Sequence, residues 1–352
     1  MKHIVFTICS NNYFAQAIVL GKSLAASNPQ CTFYVCLADR KVKDVDYSIV
    51  QNVLFADELL IPAFEQMVQK YSIVELNTAI KPYMFSYLFQ KEYDCDMVTY
   101  LDPDIYVYKS VELIESLIKD YNFILTPHTT SPYPLDGNIP NEEDILNTGM
   151  YNLGYISIKN NKEGQNMVRW WEERLSDKAD INFSVGHFTD QIWINFVPLY
   201  FSKVYVCRNF GYNVAYWNLH ERSIVSYDDN IFIQKEQEKH PLVFFHFSGY
   251  NPLKPDVFSK YQNRLFFANN LLLRELCDNY GKKLLENGFQ NYSNIECYYQ
   301  IAHQEFETNK RVKQLNRLSR IQRYYRVLLL KLRHHLNEKL FHLEQIMTNT
   351  MS

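Results

Sequence analysis

Two carboxylates lie two residues apart at the end of a largely apolar run: Asp102-Pro103-Asp104 directly follow Met97-Val98-Thr99-Tyr100-Leu101. Carboxylates so spaced hold a divalent cation, and a cation held that way offsets the charge of a departing diphosphate. Pro103 lets the chain leave extended geometry, so that both side chains can face one ion. A solvated turn is the plainer reading of an Asp-x-Asp triplet. Its place at the end of a buried strand brings the ion level with that reading, because open α/β sheets take ligands beyond the carboxyl ends of their strands. A second constellation, His246-Phe247-Ser248-Gly249-Tyr250, closes the apolar run 242–245. His246 offers a third ligand, and Gly249 lets backbone amides approach phosphate oxygens. A lone histidine there would read as a hydrogen-bonded core residue, but two strand ends with complementary ligands point to metal.

These residues need elements to position them. Residues 3–9 read as a buried strand, 13–26 as a helix with apolar residues at helical spacing, and 32–38 as a second strand that ends in Asp39. A strand, helix, strand opening is that of a parallel, nucleotide-binding sheet. Helical stretches follow at 62–71 and 75–90, then the strand 97–101 that delivers Asp102. From 122 onward strand-like runs (123–126, 151–158, 203–207 and 242–247) alternate with Pro-rich and Asn-rich loops suited to an acceptor site. Past 258 the pattern turns helical. The expected division is a catalytic domain over 1–265 and a helical region over 266–352.

With 352 residues and 47% apolar content the chain can bury one large α/β core and an appendage. The apolar start, interrupted at Ser10-Asn11-Asn12, is too short for a signal peptide, and no stretch of about 18 apolar residues follows. A cytoplasmic protein without a membrane span is the expectation. Seven cysteines without a Cys-x-x-Cys pair argue for reduced, mostly buried thiols rather than disulfides or a structural zinc site. The 27 Tyr and 23 Phe suit stacking on sugars or bases, or packing at half-buried positions. Charge is segregated: residues 310–339 carry ten Lys or Arg against Glu338 alone, which leaves 26 basic and 38 acidic residues elsewhere, a net of −12. Within that segment Leu315, Leu318, Ile321, Tyr325, Leu328, Leu332, Leu336, Leu340 and Leu343 form an amphipathic stripe. Peripheral contact through 310–343 with anionic lipid at the inner membrane face is one use, packing on its own domain or in an oligomer another; nucleic-acid binding is disfavoured.

Four motifs in order give a specific resemblance. Asn12-Tyr13 follow the first strand, Asp102-Pro103-Asp104 a central one, Asn152-Leu153-Gly154 open another, and His246-Phe247-Ser248-Gly249 are followed by Lys254-Pro255. Over about residues 3–265 the chain resembles bacterial GT-A glycosyltransferases close to family 8, the Asp-x-Asp type that builds surface polysaccharides. The resemblance implies an α/β GT-A fold, a Rossmann-like nucleotide-diphospho-sugar transferase with a mixed sheet flanked by helices, here with a C-terminal helical extension. It implies hexose transfer from a nucleotide sugar, most simply a UDP-sugar, to a glycan or lipid-linked oligosaccharide acceptor, with Mn²⁺ or Mg²⁺.

Carried over residue by residue, Thr7, Asn12 and Tyr13 would touch the nucleoside, Asp102, Asp104 and His246 would bind the metal, and Gly249 with Lys254 would meet the diphosphate. Lys254 departs from the pattern, because Asn251-Pro252-Leu253 push it further along. Lys81 resembles the family's basic residue that reaches the donor phosphates, a solvated helix lysine being the alternative. Asp190-Gln191 resemble the catalytic Asp-Gln-Asp stretch near the anomeric carbon, but Ile192 replaces the second carboxylate and leaves retention or inversion open. The aromatic segment 211–222, with Tyr216 and Trp217, and Glu143, Asp144, Asn147 and Thr148 are further candidates on the acceptor side.

Other chemistries fit less well. Ser10-Asn11-Asn12-Tyr13 lacks the Gly-rich, Arg-containing loop of a nucleotidyltransferase, and Asp102 lies about a hundred residues too late for a haloacid-dehalogenase-type phosphohydrolase. Neither Gly-x-Gly-x-x-Gly nor a Walker loop occurs. A non-catalytic carbohydrate-binding or scaffold protein on a degenerate transferase fold is the remaining alternative, and it has no need of a metal triad.

Overall fold

A computed structural model describes residues 1–228, 230–316 and 320–350. The central sheet joins β1 (His3–Cys9), β2 (Thr32–Leu37), β3 (Val53–Phe55), β4 (Met97–Leu101), β6 (Phe123–Pro127), β7 (Tyr151–Lys159) and β8 (Val204–Val206) in the order β3-β2-β1-β4-β7-β6-β8. Pairings among β3, β2, β1 and β4 are parallel, β7 runs antiparallel to both neighbours, and β8 is parallel to β6, so the sheet is mixed. β1 and β4 are buried along their whole length, as strands covered on both faces must be, which is why they read as continuous runs without alternation. Beside this sheet β5 (Ile105–Val107) pairs antiparallel with β12 (Phe244–His246). A separate antiparallel sheet holds β9 (Ser223–Tyr227), β10 (Asn230–Lys235) and β11 (Glu238–Pro241).

Helices cover the sheet through their apolar faces. Helix Lys162–Leu175 buries Met167, Val168, Trp171 and Leu175 at helical spacing, and Asn161 caps it by accepting from the Gly164 N–H. Its Trp171 meets Phe85 of helix Lys81–Lys91, ring centroids 6.4 Å apart. Helix Phe14–Ser27 is buried over most of its first turns and carries the loop after β1. Helix Leu271–Glu286 sets Leu273, Leu276, Cys277, Tyr280 and Leu284 into the same cluster as Phe245 and Phe247, with Phe247 stacked on Tyr280 at 4.0 Å. Burying side chains of this size stabilises by about 1.5–3 kcal/mol each. The first compact unit is Met1–Gln300.

The second unit is Ile301–Ser352. Its helix Arg320–Thr350 exposes Leu328, Leu332, Leu336, Leu340 and Leu343 alongside basic side chains. Leu318 of the stripe lies outside the described residues, as do the side chains of Leu315 and Ile321. Among the described residues no helix is long and apolar enough to cross a membrane. All seven cysteines are free thiols, buried except for the half-buried Cys31.

Candidate active site

The chain turns sharply after β4 because Asp102 donates its N–H to Gly154 of β7 at 2.8 Å while the Ile105 N–H returns to the Asp102 carbonyl at 3.1 Å. Pro103 sits in that turn, and β5 then pairs with β12 in a register that sets His246 opposite Ile105. The Phe247 N–H bonds the Asp104 carbonyl at 2.9 Å. The two strand ends therefore bring His246 Nε2 to 2.9 Å from Asp104 Oδ1 and 3.5 Å from Asp102 Oδ2. One ligand atom from each of the three residues lies within 4.8 Å of the others.

Two carboxylate oxygens and an imidazole nitrogen make a donor set suited to Mn²⁺ or Mg²⁺, so the residues fit the metal the resemblance implies. The electrostatics point the same way. The Asp102 side chain keeps 31% of its accessible surface, yet the atoms packed round it raise its carboxyl above the usual range despite Lys81 and His246. Burial pulls the His246 imidazole down, but Asp104 first and Asp102 second outweigh it and the net direction is up. A carboxylate packed into such surroundings gains from a cation beside it. Gly154 makes room for the imidazole: a Cβ there would lie 2.4 Å from His246 Cε1 and 2.6 Å from Nδ1. Trp217 holds the ring edge-on at 5.0 Å. His246 Nδ1 is buried without a hydrogen-bond partner.

Asp104 opens onto a cavity of about 280 Å³ whose lining includes Asn12, Tyr13, Gly249, Lys260 and Tyr261. The loop after β1 is shaped by Asn11, which receives the Tyr47 hydroxyl at 2.6 Å and donates to the Arg40 carbonyl at 2.9 Å and, through its N–H, to Asp39. Anchoring Asn11 turns Asn12 and Tyr13 toward the cavity. Gly249 has φ +78° and would clash through any Cβ with Ser259 Oγ at 2.7 Å. Thr7 lies further down β1, fully buried, its Oγ1 without a hydrogen-bond partner. Lys254 is exposed outside the cavity lining, where Lys260 stands instead.

Lys81 is neither solvated nor at the cavity. It is 1% exposed, with Nζ 2.5 Å from Asp190 Oδ2, 2.9 Å from the Leu153 carbonyl and 3.9 Å from the centre of the Tyr100 ring. The Tyr100 hydroxyl in turn donates to Asp102 Oδ1 at 2.5 Å. Asp190, Lys81, Tyr100 and Asp102 thus form one continuous polar run. Gln191 accepts from the Leu153 N–H at 2.9 Å and donates to the Thr148 carbonyl at 2.8 Å, which fixes the entry to β7. Asn152 Oδ1 accepts from Gly154 and from Asn213, which also bonds Thr126. On the acceptor side, Asp144 is spent on capping helix Glu142–Thr148, and Trp217 is buried as the wall behind His246 rather than presented as a platform.

Sequence reasoning missed Lys260, Tyr261 and Tyr280 as cavity residues. Tyr280 falls in the helical stripe of Leu273, Leu276 and Leu284, so its type and spacing signalled only core. Asn213 and His128, which brace Asn152, carry no spacing signal at all.

No protein-family model matches the chain. Two proteins of Bacillus subtilis (strain 168) are similar in sequence: YfnF, 26% identical over 69% of this chain and 80% of its own length, and YfnD, 23% identical over 69% and 76%. Similar solved structures are glycosyltransferases. The galactosyltransferase LgtC in complex with donor and acceptor sugar analogs has TM-score 0.42 and 18% identity, covering 80% of this chain and 95% of that one. WbbM, a bifunctional glycosyltransferase, has TM-score 0.43 and 14% identity over 87% and 51%. GlyE of Streptococcus pneumoniae TIGR4 has TM-score 0.39 and 14% identity over 88% and 64%.

Proposed function

We propose that this chain is a metal-dependent GT-A-type glycosyltransferase that moves a hexose from a nucleotide sugar, a UDP-sugar, to a surface glycan or lipid-linked oligosaccharide. The observation that carries the proposal is the convergence of Asp102, Asp104 and His246 from two separate strand ends, with Asp104 lining a cavity shared with Asn12, Tyr13 and Gly249. When bound there, Mn²⁺ or Mg²⁺ supplies Lewis-acid neutralisation of the leaving diphosphate. Asn12 and Tyr13 flank the nucleoside, Tyr13 by its half-exposed ring, and the left-handed turn at Gly249 presents backbone amides to phosphate. Lys260 adds positive charge at the cavity in the part first given to Lys254.

Asp190 and Gln191 act by positioning. A base that deprotonates an acceptor hydroxyl must be within its reach, whereas Asp190 is ion-paired with Lys81 at 2.5 Å in a site where both side chains are 2% exposed. Their part is to preorganise the field behind the metal ligands: Asp190 fixes Lys81, Lys81 fixes Tyr100, and Tyr100 orients Asp102. The basic amphipathic helix Arg320–Thr350 keeps the enzyme near its acceptor by lying on anionic lipid at the cytoplasmic membrane face. The test is a panel of UDP-hexoses incubated with the protein and Mn²⁺, with released UDP as the readout. Slow UDP release from one donor, at least 100-fold weaker in Asp102→Ala/Asp104→Ala, is expected; no release above background from any sugar nucleotide would remove the catalytic reading.

A further inference from the structure

At the opposite end of β1 from the Asn12 loop, three side chains of different chemistry meet. His3 opens β1, Cys31 immediately precedes β2, and Glu115 lies on helix Glu112–Leu117. Their ligand atoms are again mutually within 4.8 Å. His3 Nδ1 is 3.0 Å from Glu115 Oε1, Cys31 Sγ is 3.4 Å from His3 Nδ1, and Cys31 Sγ is 3.9 Å from Glu115 Oε1. We propose that His3, Cys31 and Glu115 form a second metal site, built for a zinc-class divalent cation.

The donor triangle has the right size. Tetrahedral zinc with nitrogen near 2.0 Å and sulfur near 2.3 Å places neighbouring ligand atoms roughly 3.3–3.5 Å apart, which the three separations bracket. The donor set has the right softness: a thiolate beside an imidazole favours zinc over the Mn²⁺ or Mg²⁺ suited to the two aspartates and histidine at the other sheet end. The surroundings also match a ligating histidine. His3 Nε2 contacts Thr99 Oγ1 at 2.8 Å, Thr99 contacts Ser157 Oγ at 2.7 Å, and Ser157 contacts the Tyr155 hydroxyl at 2.7 Å. A ring whose Nε2–H donates into such a run presents Nδ1 as a bare lone pair to the other two ligands, the arrangement metal-bound histidines use. Gln30 steadies the carboxylate, donating to Glu115 Oε1 at 3.2 Å. His3 is 1% exposed, whereas the Glu115 side chain is 16% exposed and Cys31 half-buried, so three ligands come from the protein and an open side remains for a water. Six residues of β1, Ile4 to Cys9, lie between His3 and Ser10, roughly 20 Å of extended chain. The site is thus physically apart from the cavity.

Binding displaces one proton, that of the Cys31 thiol, and involves no redox step. The experiment is a titration of chelator-treated full-length protein with Co²⁺, read by the near-ultraviolet thiolate-to-cobalt absorption that only a cysteine ligand produces. The band is expected in the wild type, retained in Asp102→Ala/Asp104→Ala, bleached by one equivalent of Zn²⁺, and lost in Cys31→Ser with an unchanged circular dichroism spectrum. A folded wild type without the band overturns the site and leaves an ordinary His3 Nδ1–H to Glu115 hydrogen bond. A band that survives Cys31→Ser overturns it equally, since another thiol would then be the ligand.

Discussion

Each side chain of the candidate site is held by a neighbour whose removal has a calculable direction. Gly154→Ala would drive a methyl into the His246 ring, so the imidazole must move away from Asp104. A loss of about 1–3 kcal/mol in stability is expected for such overpacking, together with weaker Mn²⁺ binding by calorimetry; unchanged affinity would mean His246 is no ligand. Lys81 and Asp190 are both desolvated, so Lys81→Ala leaves a buried carboxylate without its cation. Destabilisation of about 3–5 kcal/mol is expected in urea unfolding, and Lys81→Met with Asp190→Leu should recover much of it. That Asp102, Asp104 and His246 come together was legible from residue type and strand-end position. The inward turn of Lys81 was not, because a lysine on a helix signals solvent until the partner that neutralises it, here 109 residues away, is known to face it.

At the scale of elements, the strands positioning the site were readable as buried apolar runs, and the parallel opening β1, helix, β2 follows from them. The pairing of β5 with β12 was not readable: both are only three residues long and come together across almost 140 residues of chain, yet that pairing is what sets His246 against Asp104. Loops near the site are tied by a buried network at Glu221, which bonds Arg222, Lys235 at 2.9 Å and the Thr130 N–H at 3.0 Å. Burial alone would raise the Glu221 carboxyl, but Arg222 foremost, with Lys235 and Thr130, hold it down at about 2. A depressed carboxyl contributes fully above its ordinary value of 4.5 and loses its contribution as pH falls toward 2. Thermal unfolding should therefore show a drop in melting temperature between pH 4.5 and 2.5 that is smaller in Glu221→Gln; equal slopes in both proteins would contradict the network.

For the molecule as a whole, the apolar fraction and the strand and helix alternation sufficed for the α/β class, whereas the packing of helix Leu271–Glu286 onto Phe245 and Phe247 rests on contacts that helical periodicity alone does not assign to a partner. Charge segregation was visible at once, and its use is testable: the protein should sediment with anionic vesicles at low salt but not with neutral ones, and Arg326→Glu, Lys331→Glu and Arg333→Glu together should abolish it. Binding to neutral vesicles that is insensitive to salt would contradict the lipid role of Arg320–Thr350. The central claim, a metal-dependent nucleotide-diphosphate site, is tested most directly by calorimetric titration of UDP, GDP and CMP with and without Mn²⁺ into wild type and Asp102→Ala/Asp104→Ala. Saturable binding of UDP that requires Mn²⁺ and disappears in the double variant is the predicted result. Binding of no nucleotide, or UDP binding indifferent to both Mn²⁺ and the two aspartates, would contradict it.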